Sequence, residues 1–579
     1  MRTNLNFFRS QLIVKTLKQL GLEHVCLSPG SRNTPITFAF AKEPGLNKHV
    51  IVDERASAFF ALGLAKSTGK PVAIVCTSGT AVAELYPAII EAYNSRIPLI
   101  ALTADRPPYL KNSGSNQTIN QKQIFAANCD HYYDFGLPVN SESDFFDTIN
   151  ATQSIWENCR RPFSGPVQLN LPFEKPLEPA SVDCEIDDLT ISLLDEKIKD
   201  SIGSPFPRDF SKNVNLLIAP ETNIMVVLGN GNYSEEFLDK CAELSDKLKI
   251  PVCLESPSAL PEKKDYPFIR NFGNLLQSEK FHDLMDIDRI VIFGRNFTSK
   301  NVERFFGKWE KGLINISIKG EGFGKPAPNK RTVQINDLDA INSLINSDRF
   351  TGNRRSAFHD FIMKADKEFT RLLTSRFETP GIESEIELIA TLPTLLKDHL
   401  ETPVFFSNSL PVRDFDYLRA LFKNPVYISR GASGIDGIIA TAAGIATGAA
   451  KPSVLVTGDL AFHYDSNSLQ FLKACNIPLF IILVNNGGGS IFEYLPVNDG
   501  SDEFQQYFKT ETGVDFGKVA SAYGIKHYAI SAVVQLEEAL KKFFLTPAPA
   551  VAQLKFDSIE SKERKETIKT GIISAMTSF

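Results

Sequence analysis

The chain has 579 residues, of which 43% are hydrophobic and 22% charged, and its formal net charge is −6. This length exceeds what one hydrophobic core supports, and the composition is typical of globular proteins, so several folded domains are expected. The acidic balance, with no block of Lys or Arg, argues against nucleic acid as a partner. The apolar runs are shorter than the roughly 20 residues of a membrane helix. Since the N-terminus also has no signal-peptide core, a cytoplasmic protein that does not bind membranes is expected.

The eight cysteines are scattered, with no CxxC pair and no Cys/His cluster at metal-ligand spacing. Several of them, including Cys26, Cys76 and Cys475, lie in or beside apolar runs. They are predicted to be reduced core residues.

Short β-rich runs alternate with helical patterns along the chain in three successive series. The first series has strand candidates at 25–28, 49–54, 71–78 and 98–105, with helical stretches at 56–67 and 81–94. The second has strand candidates at 224–231, 250–256, 289–294 and 314–318. A charged helical stretch at about 356–376 leads out of the second series. The third series runs from about 380, and its strand candidates are 403–409, 425–429, 452–459, 478–486 and 549–556.

This alternation predicts an α/β protein with three consecutive doubly wound parallel-sheet domains. The domains are expected at residues 1–185, 224–355 and 356–579, with a linker rich in Pro, Asp, Lys and Ser at 186–223. Ligands bind such sheets at the carboxyl ends of the strands, so functional residues are expected just after the strands.

The strongest motif is GDLAFHYDSNSLQFLKACNIPLFIILVNNGGG, which begins at Gly458. Its strand-helix-strand pattern brings Asp459 and Asn486 to neighbouring strand ends, where a backbone carbonyl of the glycine run can join them around a hard cation such as Mg²⁺. The glycines would also let the backbone approach a diphosphate closely. Either half alone is an ordinary turn signal. Together they form the GD…NN signature of thiamine-diphosphate enzymes.

A second motif, VDERASAFFALGLAKSTGKPVAIVCTSGTA, places Glu54 at a strand end just before a helix. An acidic residue there can simply complement the helix dipole. Thiamine-diphosphate enzymes, however, need a buried carboxylate that hydrogen-bonds the aminopyrimidine ring and so promotes removal of the thiazolium C2 proton. Beside TSGTA at 77–81 and the metal motif, Glu54 is interpreted as this activator.

Other enzyme classes find less support in the sequence. The stretch 63–71 has the wrong glycine spacing for a Walker loop, and no HExxH or GxSxG motif occurs. GNGNYS is a broken GxGxxG that ends in Ser234, which makes a nicotinamide or flavin site a weak interpretation.

Several loops narrow the family further. The segments LSPGSRNTPITFAF, TADRPPYLKNSGSNQTINQ, FFSNSLPVRDFD, SRGASGIDG and GGGSIFEYLP resemble the 2-succinyl-5-enolpyruvyl-6-hydroxy-3-cyclohexene-1-carboxylate synthases through all three domains, more than acetolactate synthases or 2-oxoacid decarboxylases. The resemblance implies a transferase of menaquinone biosynthesis that decarboxylates 2-oxoglutarate on thiamine diphosphate, with Mg²⁺ or Mn²⁺, and adds the succinyl carbanion to isochorismate. It also implies a homodimer or a dimer of dimers, in which the glutamate and the metal motif meet across a subunit interface.

The resemblance implies roles for individual residues. Ser31, Arg32 and Gln117 would act with Glu54 at the reacting centre. The substrate-binding residues would be Ser31, Arg32, Arg106, Asn116, Gln117, Lys300, Ser409, Arg413, Arg430, Ile491, Phe492 and Leu495. The cofactor would contact Glu54, Thr77, Gly79, Ser433, Ile435, Gly458, Leu460, Asn486, Gly488 and Gly489, and the metal would be held by Asp459, Asn486 and Gly488.

The five basic residues of this set suit substrates that each carry two carboxylates. One departure concerns the position after Lys300, where the family can show a second basic residue and this chain has Asn301. His463 is interpreted as a helix residue rather than a catalyst. An acetolactate-synthase-like carboligase and a non-catalytic regulatory protein on the same fold remain alternatives.

Overall fold

The computed structural model describes residues 1–129, 131–160, 164–201, 223–231, 233–255, 266–294, 297–317, 329–335, 337–346 and 353–576. The chain divides into two compact units. The first comprises residues 1–207 and 436–450, and the second comprises residues 208–435 and 451–579.

Among its described residues, the N-terminal part of the chain contains eight strands and seven α-helices. The strands are β1 (Arg2–Thr3), β2 (His24–Leu27), β3 (Asn47–Val50), β4 (Val72–Cys76), β5 (Leu99–Asp105), β6 (His131–Asp134), β7 (Val167–Pro172) and β8 (Cys184–Glu185). The helices are α1 (Leu5–Gln19), α2 (Thr34–Lys42), α3 (Glu54–Thr68), α4 (Thr80–Glu84), α5 (Tyr86–Ser95), α6 (Glu142–Arg160) and α7 (Asp188–Lys199).

The central part contains five strands and five α-helices in its described residues. The strands are β9 (Ile224–Leu228), β10 (Val252–Leu254), β11 (Arg289–Phe293), β12 (Gly312–Ile316) and β13 (Lys330–Val333). The helices are α8 (Glu235–Leu248), α9 (Phe272–Leu275), α10 (Glu279–Asp283), α11 (Lys300–Lys308) and α12 (Asp337–Ile345).

The C-terminal part contains six strands and ten α-helices in its described residues. The strands are β14 (Val404–Phe406), β15 (Val426–Ile428), β16 (Ser453–Gly458), β17 (Leu479–Asn485), β18 (Lys526–Ile530) and β19 (Ala550–Lys555). The helices are α13 (Asn353–Arg376), α14 (Glu385–Leu395), α15 (Leu410–Leu418), α16 (Ile438–Ala449), α17 (Asp459–Tyr464), α18 (Leu469–Ala474), α19 (Asp502–Phe504), α20 (Phe516–Ala522), α21 (Val533–Leu545) and α22 (Ser558–Met576).

Three parallel sheets organise these elements, as the alternation of strands and helices predicted. Their strand orders are β3-β2-β4-β5-β7-β6, β10-β9-β11-β12-β13 and β15-β14-β16-β17-β19-β18. The first and third sheets share one strand order. In each of them, the strand that comes first in the chain lies between the second and the third. The direction of winding therefore reverses beside β2 and beside β14, and ligands bind α/β sheets at such points. The predicted α/β class is confirmed, and a small antiparallel pair, β1 with β8, is added to it.

Helices α3 and α16 pack closely together within the first unit. A Cβ atom on Gly63 would collide with the backbone oxygen of Thr441, and one on Gly444 would collide with that of Phe60. Glycine at both positions lets the two backbones touch. The packing against α16 holds α3 in place. Asp53 caps the start of α3, which begins at Glu54, by accepting a hydrogen bond from Ala56 N at 3.1 Å.

Three differences between the structure and the sequence predictions concern two helical segments and one cysteine. The helix predicted at 81–94 is two helices that meet at Leu85, because Pro87 starts a new first turn. Part of the predicted linker forms α7, which Asp187 caps by accepting from Thr190 N at 2.8 Å. The prediction that the cysteines are core residues is wrong for Cys475, which is exposed just after α18.

Over the residues that the structure describes, no helix combines the length and the apolar character needed to span a bilayer.

Candidate functional site

The loops after β2 and β4 meet in the first unit. A Cβ atom on Gly30, in the PGSR turn, would collide with the side chain of Thr77. Gly79 has φ of +91° and caps α4, and a Cβ there would lie 3.2 Å from the backbone oxygen of Gln117, which itself has φ of +52°. The structure thus brings together the predicted loops that contain Ser31, Thr77 and Gln117.

Gln121 links the segments of this loop cluster through hydrogen bonds. Its side chain is fully buried, and Oε1 accepts a hydrogen bond from Gly79 N at 3.3 Å. Its Nε2 donates to the backbone oxygen of Ala104 and to Asn170 Oδ1, both at 2.9 Å. The loop with Asn116 and Gln117, whose own side chains are exposed, is therefore fixed by a buried neighbour that the sequence analysis missed.

Two of the predicted basic residues lie beside this cluster. Arg32 is buried and donates through Nη1 to the backbone oxygen of Phe173 at 2.6 Å. Burial lowers the pKa of Arg32, and the nearby positive charge of Arg106 lowers it further. Two guanidinium groups close enough to influence each other are typical of an anion site.

Glu54 is the first residue of α3 and is partly buried. Burial raises the pKa of Glu54, although its own backbone N–H lowers it in part. A carboxylate that only complemented a helix dipole would have a lowered pKa. Burial therefore outweighs the effect of the helix N-terminus on the pKa of this carboxyl group.

In the second unit, β16 and β17 pair as neighbours, and the GD and NN motifs lie at their carboxyl ends. Asp459 is buried, and its two oxygens accept from Leu460 N and Gly488 N, each at 2.8 Å. Burial raises the pKa of Asp459, and these N–H groups oppose the shift. Asn486 donates through Nδ2 to Glu385 Oε1 at 2.7 Å, while its buried Oδ1 has no hydrogen-bond partner.

The oxygen atoms of Asp459 and Asn486 are suitable ligands for a divalent cation. A buried amide oxygen without a partner calls for an explanation, and an ion is one. No group of three His, Cys, Asp or Glu side chains suited to a metal occurs in the described ranges. A metal here would instead use one carboxylate together with amide and backbone oxygens, the set that hard cations prefer.

The glycine run forms a narrow backbone turn beside this set. Gly488 has φ of +106°, and a Cβ atom there would collide with the backbone oxygen of Lys509. A Cβ on Gly489 would collide with the backbone oxygen of Phe508, and Gly489 N donates to Lys509 O at 2.5 Å. No other residue fits this turn, so the glycines are required for the local geometry whether or not a diphosphate is bound.

A cleft of about 530 Å³ also lies in the second unit. It is lined by Phe297, Lys300, Glu303, Ser409, Arg413, Arg430, Gly431, Ser433, Ile435, Ile491 and Phe492. Eight of the predicted site residues therefore share one surface. Leu495, also predicted here, is 47% exposed and is not among the lining residues.

The charges in this cleft are closely spaced. Burial lowers the pKa of Arg413, and the positive charge of Arg430 lowers it further. Lys300 forms an ion pair with Glu303 at 2.6 Å, whereas Asn301 donates to the backbone oxygen of Gly273 at 3.0 Å. Asn301 thus has a structural contact in place of a charge.

Two serines of the cleft have strained backbones. Ser409 has φ of +77° and Ser433 has φ of +61°, in the left-handed region that favours glycine. Such outliers cost of order 1–3 kcal/mol and cluster at functional sites. Arg413 Nη1 donates to the backbone oxygen of Ser409 at 3.1 Å, so the guanidinium group is positioned by the strained residue.

Glu303, Phe297 and Glu385 were not predicted from the sequence, because no quoted motif contains them and their place at the site depends on the fold. An acidic residue in a first helical turn, as Glu385 is, has an ordinary explanation in the helix dipole. His463 lies exposed in α17.

Comparison with known proteins finds family matches in two separate parts of the chain. Residues 9–124 match the thiamine pyrophosphate enzyme N-terminal TPP binding domain, and residues 416–554 match the C-terminal TPP binding domain. These two matches contain Glu54 and the GD…NN motif respectively.

Curated relatives match nearly the whole chain. The 2-succinyl-5-enolpyruvyl-6-hydroxy-3-cyclohexene-1-carboxylate synthase of Crocosphaera subtropica is 32% identical over 584 residues, which cover 98% of this chain and 96% of the relative. The enzyme of that name from Gloeothece citriformis is 34% identical over 93% of each chain, and that from Halobacterium salinarum is 32% identical over 98% of each. The resemblance predicted from the loops is confirmed: this chain belongs to the 2-succinyl-5-enolpyruvyl-6-hydroxy-3-cyclohexene-1-carboxylate synthase family of thiamine-diphosphate-dependent enzymes.

Proposed function

We propose that this enzyme decarboxylates 2-oxoglutarate and adds the resulting four-carbon unit to isochorismate, giving 2-succinyl-5-enolpyruvyl-6-hydroxy-3-cyclohexene-1-carboxylate and CO2 in menaquinone biosynthesis. The observation that carries this proposal is the cleft that is lined by three cations, Lys300, Arg413 and Arg430, together with the apolar side chains of Ile491 and Phe492. Fixed cations suit a substrate with two carboxylates, and the apolar wall suits a ring.

We propose thiamine diphosphate with Mg²⁺ or Mn²⁺ as the cofactor. When bound, this cofactor supplies a carbanion-stabilising thiazolium, which makes loss of CO2 from a 2-oxoacid feasible. The metal would be held by Asp459, Asn486 Oδ1 and the backbone oxygen of Gly488, a set supported by the unpartnered amide oxygen. The diphosphate would lie along Gly458, Leu460, Asn486, Gly488 and Gly489, and Ser433 and Ile435 would contact the remainder of the cofactor.

The first unit would supply the proton chemistry. Glu54, with its raised pKa, would donate a hydrogen bond to the aminopyrimidine ring, and Thr77 and Gly79 would contact that ring. Ser31, Arg32, Arg106, Asn116 and Gln117 would bind substrate, with Arg32 and Arg106 pairing with a carboxylate. The buried Gln121 supports this arrangement because it fixes the loops that contain these residues.

The second unit would bind the other carboxylates and exclude water. Arg413 and Ser409 would hold one carboxylate, and Lys300 and Arg430 would add positive charge. Ile491 and Phe492, which line the cleft, would shield the reacting carbon from protons. Since Glu303 already pairs with Lys300, the two arginines would contribute most to anion binding.

We further propose that the enzyme is a cytoplasmic homodimer or a dimer of dimers. Eight free cysteines are compatible with a reducing compartment. Family resemblance supports the assembly, because thiamine-diphosphate enzymes of this kind combine their two cofactor-binding domains across a subunit interface.

The test is a spectroscopic assay of isochorismate loss with purified protein, thiamine diphosphate and Mg²⁺, using 2-oxoglutarate or pyruvate as donor. Isochorismate is expected to disappear only with 2-oxoglutarate, and Glu54→Gln should slow its loss by about 10²–10⁴-fold. Arg413→Ala should raise KM for 2-oxoglutarate by about 10–100-fold. Arg371→Ala, which removes an exposed arginine paired with Glu368, is the matched control and should change neither constant. Consumption of pyruvate with isochorismate untouched would support an acetolactate-synthase-like carboligase instead, and no turnover of any donor would support a non-catalytic protein.

A further inference from the structure

We infer that Glu385 is a positioning residue for the metal site, acting through Asn486. Glu385 is the first residue of α14, 4% exposed, and its Oε1 accepts from Asn486 Nδ2 at 2.7 Å. The inference rests on the metal site proposed above and deepens it, because none of the family motifs in the sequence contains Glu385.

The chemistry of an amide explains why such a residue is needed. An asparagine side chain presents an oxygen that can ligate a cation and an NH2 group that cannot, and the two ends exchange by a rotation of half a turn. A carboxylate accepts hydrogen bonds and donates none, so it selects the NH2 end. With Nδ2 held by Glu385, the Asn486 oxygen is directed away from α14, and it is this buried Oδ1 that has no hydrogen-bond partner.

The backbone of Glu385 is held in place by a contact with another helix. Its backbone N–H donates to Ser561 Oγ at 3.1 Å, which joins the start of α14 to α22. The carboxylate lies 101 residues from Asn486 in the chain and is buried rather than exposed at a helix end. A role limited to the helix dipole would not require this long-range contact.

Residue Glu387 provides a matched control on the same helix. It is also buried, but its carboxylate accepts from Ser384 Oγ at 2.7 Å and from Arg564 at 3.1 and 3.2 Å. Glu387→Gln therefore removes a buried charge of the same helix turn without touching the proposed metal ligands. It should lower the thermal unfolding midpoint and leave metal affinity unchanged.

The experiment measures Mn²⁺ binding by the loss of the free-ion electron paramagnetic resonance signal, on full-length apoprotein with excess thiamine diphosphate. Glu385→Ala is expected to raise the apparent Kd for Mn²⁺ by about 10–100-fold, the range found when groups that orient metal ligands are removed. Glu385→Gln should raise it less, because a glutamine oxygen can still accept from Asn486. If the alanine variant fails to fold, the glutamine variant decides by the same measurement.

The outcomes separate this inference from the proposed function. Wild-type affinity in both Glu385 variants, with Asp459→Ala unable to bind Mn²⁺, would overturn the inference and leave the metal site intact. A wild-type protein that binds no Mn²⁺ would overturn the metal site and the inference together. An equal loss of affinity in Glu387→Gln would also overturn the inference, because the effect would then be general destabilisation.

Discussion

Single buried polar residues decide much of the local geometry in this enzyme. Gln121 satisfies one donor and two acceptors from three different segments, and Asp459 accepts two backbone N–H groups. Buried polar groups are costly when unpaired, so each of these residues fixes its partners as well as itself. The loops that would contact cofactor and substrate are therefore held by residues that need not touch either.

Replacement of Gln121 tests this view. Gln121→Leu would leave the N–H of Gly79 and the acceptors Ala104 O and Asn170 Oδ1 without their partner, and should lower the free energy of unfolding by about 2–4 kcal/mol. Gln121→Glu keeps the acceptor for Gly79 but places a buried carboxylate against two acceptor oxygens, so its effect at neutral pH should be at least as large. Chemical denaturation measures both, and equal stability of the leucine variant and the wild type would show that the network contributes nothing.

The histidine pair on β2 and β3 predicts a pH dependence of stability. His24 Nδ1 and His49 Nε2 lie 3.1 Å apart, and burial, with a further contribution from His24, lowers the pKa of His49 to about 4. An unfolded histidine titrates near 6.5, so the unfolded chain binds more protons between these values. The stabilisation by neutral His49 is complete above about pH 6.5 and is lost as the pH falls toward 4.

His49→Gln should therefore reduce the acid sensitivity of the protein. Between about pH 7.5 and pH 5, the variant should lose about 1–2 kcal/mol less unfolding free energy than the wild type. The measurement is denaturant unfolding at both pH values, with His131→Gln, an exposed histidine on β6, as control. An identical loss in wild type and His49→Gln would contradict the assigned direction of the pKa shift.

The sequence predicted which residues would lie near one another where the signal was local. Asp459 and Asn486 follow two apolar strands, and the structure places those strands side by side. Glu385 and Gln121 could not be found in this way, because their partners lie 101 and 42 residues away and no short pattern joins them. The contacts that orient a site depend on tertiary structure more than the site residues themselves do.

At the scale of secondary structure, the strands that were predicted are those with continuous apolar runs. Strand β17, LFIILVN, is buried along nearly all its length, and β4 and β5 are similar. Strands β6 and β18, with sequences HYYD and KHYAI, are edge strands with exposed positions, so they lack that signal. Strand β7 was missed because Gln168 and Asn170 interrupt its apolar pattern while forming buried hydrogen bonds.

The contact between α3 and α16 gives a prediction for elements. Gly63→Ala and Gly444→Ala each place a methyl group against backbone of the other helix, which cannot move aside as a side chain could. Each should lower the free energy of unfolding by about 1–3 kcal/mol, as overpacking does. Gly571→Ala, in α22 with open space around it, should instead stabilise by about 0.5–1 kcal/mol. Parallel denaturation curves measure all three, and stabilisation by Gly63→Ala would show that the helices do not touch.

At the scale of the whole molecule, net charge and local charge have opposite signs. The chain has a net charge of −6, yet Lys300, Arg413 and Arg430 line one cleft in the second unit, and Arg32 lies near Arg106 in the first. Composition therefore argued against a nucleic-acid footprint but could not reveal these clusters of positive charge. Those clusters followed only from the resemblance of the segments that contain these residues to the family.

Glu54 belongs to one compact unit and Asp459 to the other, so assembly can be tested with two inactive variants. If each active site of a homodimer combines Glu54 of one subunit with Asp459 of its partner, a heterodimer of Glu54→Gln and Asp459→Ala has one intact site and one doubly defective site. Random pairing of equal amounts makes about half the dimers mixed, so co-expression should restore about a quarter of wild-type activity.

The matched control pairs Asp459→Ala with Asn486→Ala, two changes in the same compact unit. Every site of that mixture is defective, so it should stay inactive while forming dimers of normal size by light scattering. Active sites built within single subunits would give no activity in either mixture, because each subunit then has its own defect. Restoration in the first mixture alone would therefore establish both the assembly and the division of labour between Glu54 and Asp459.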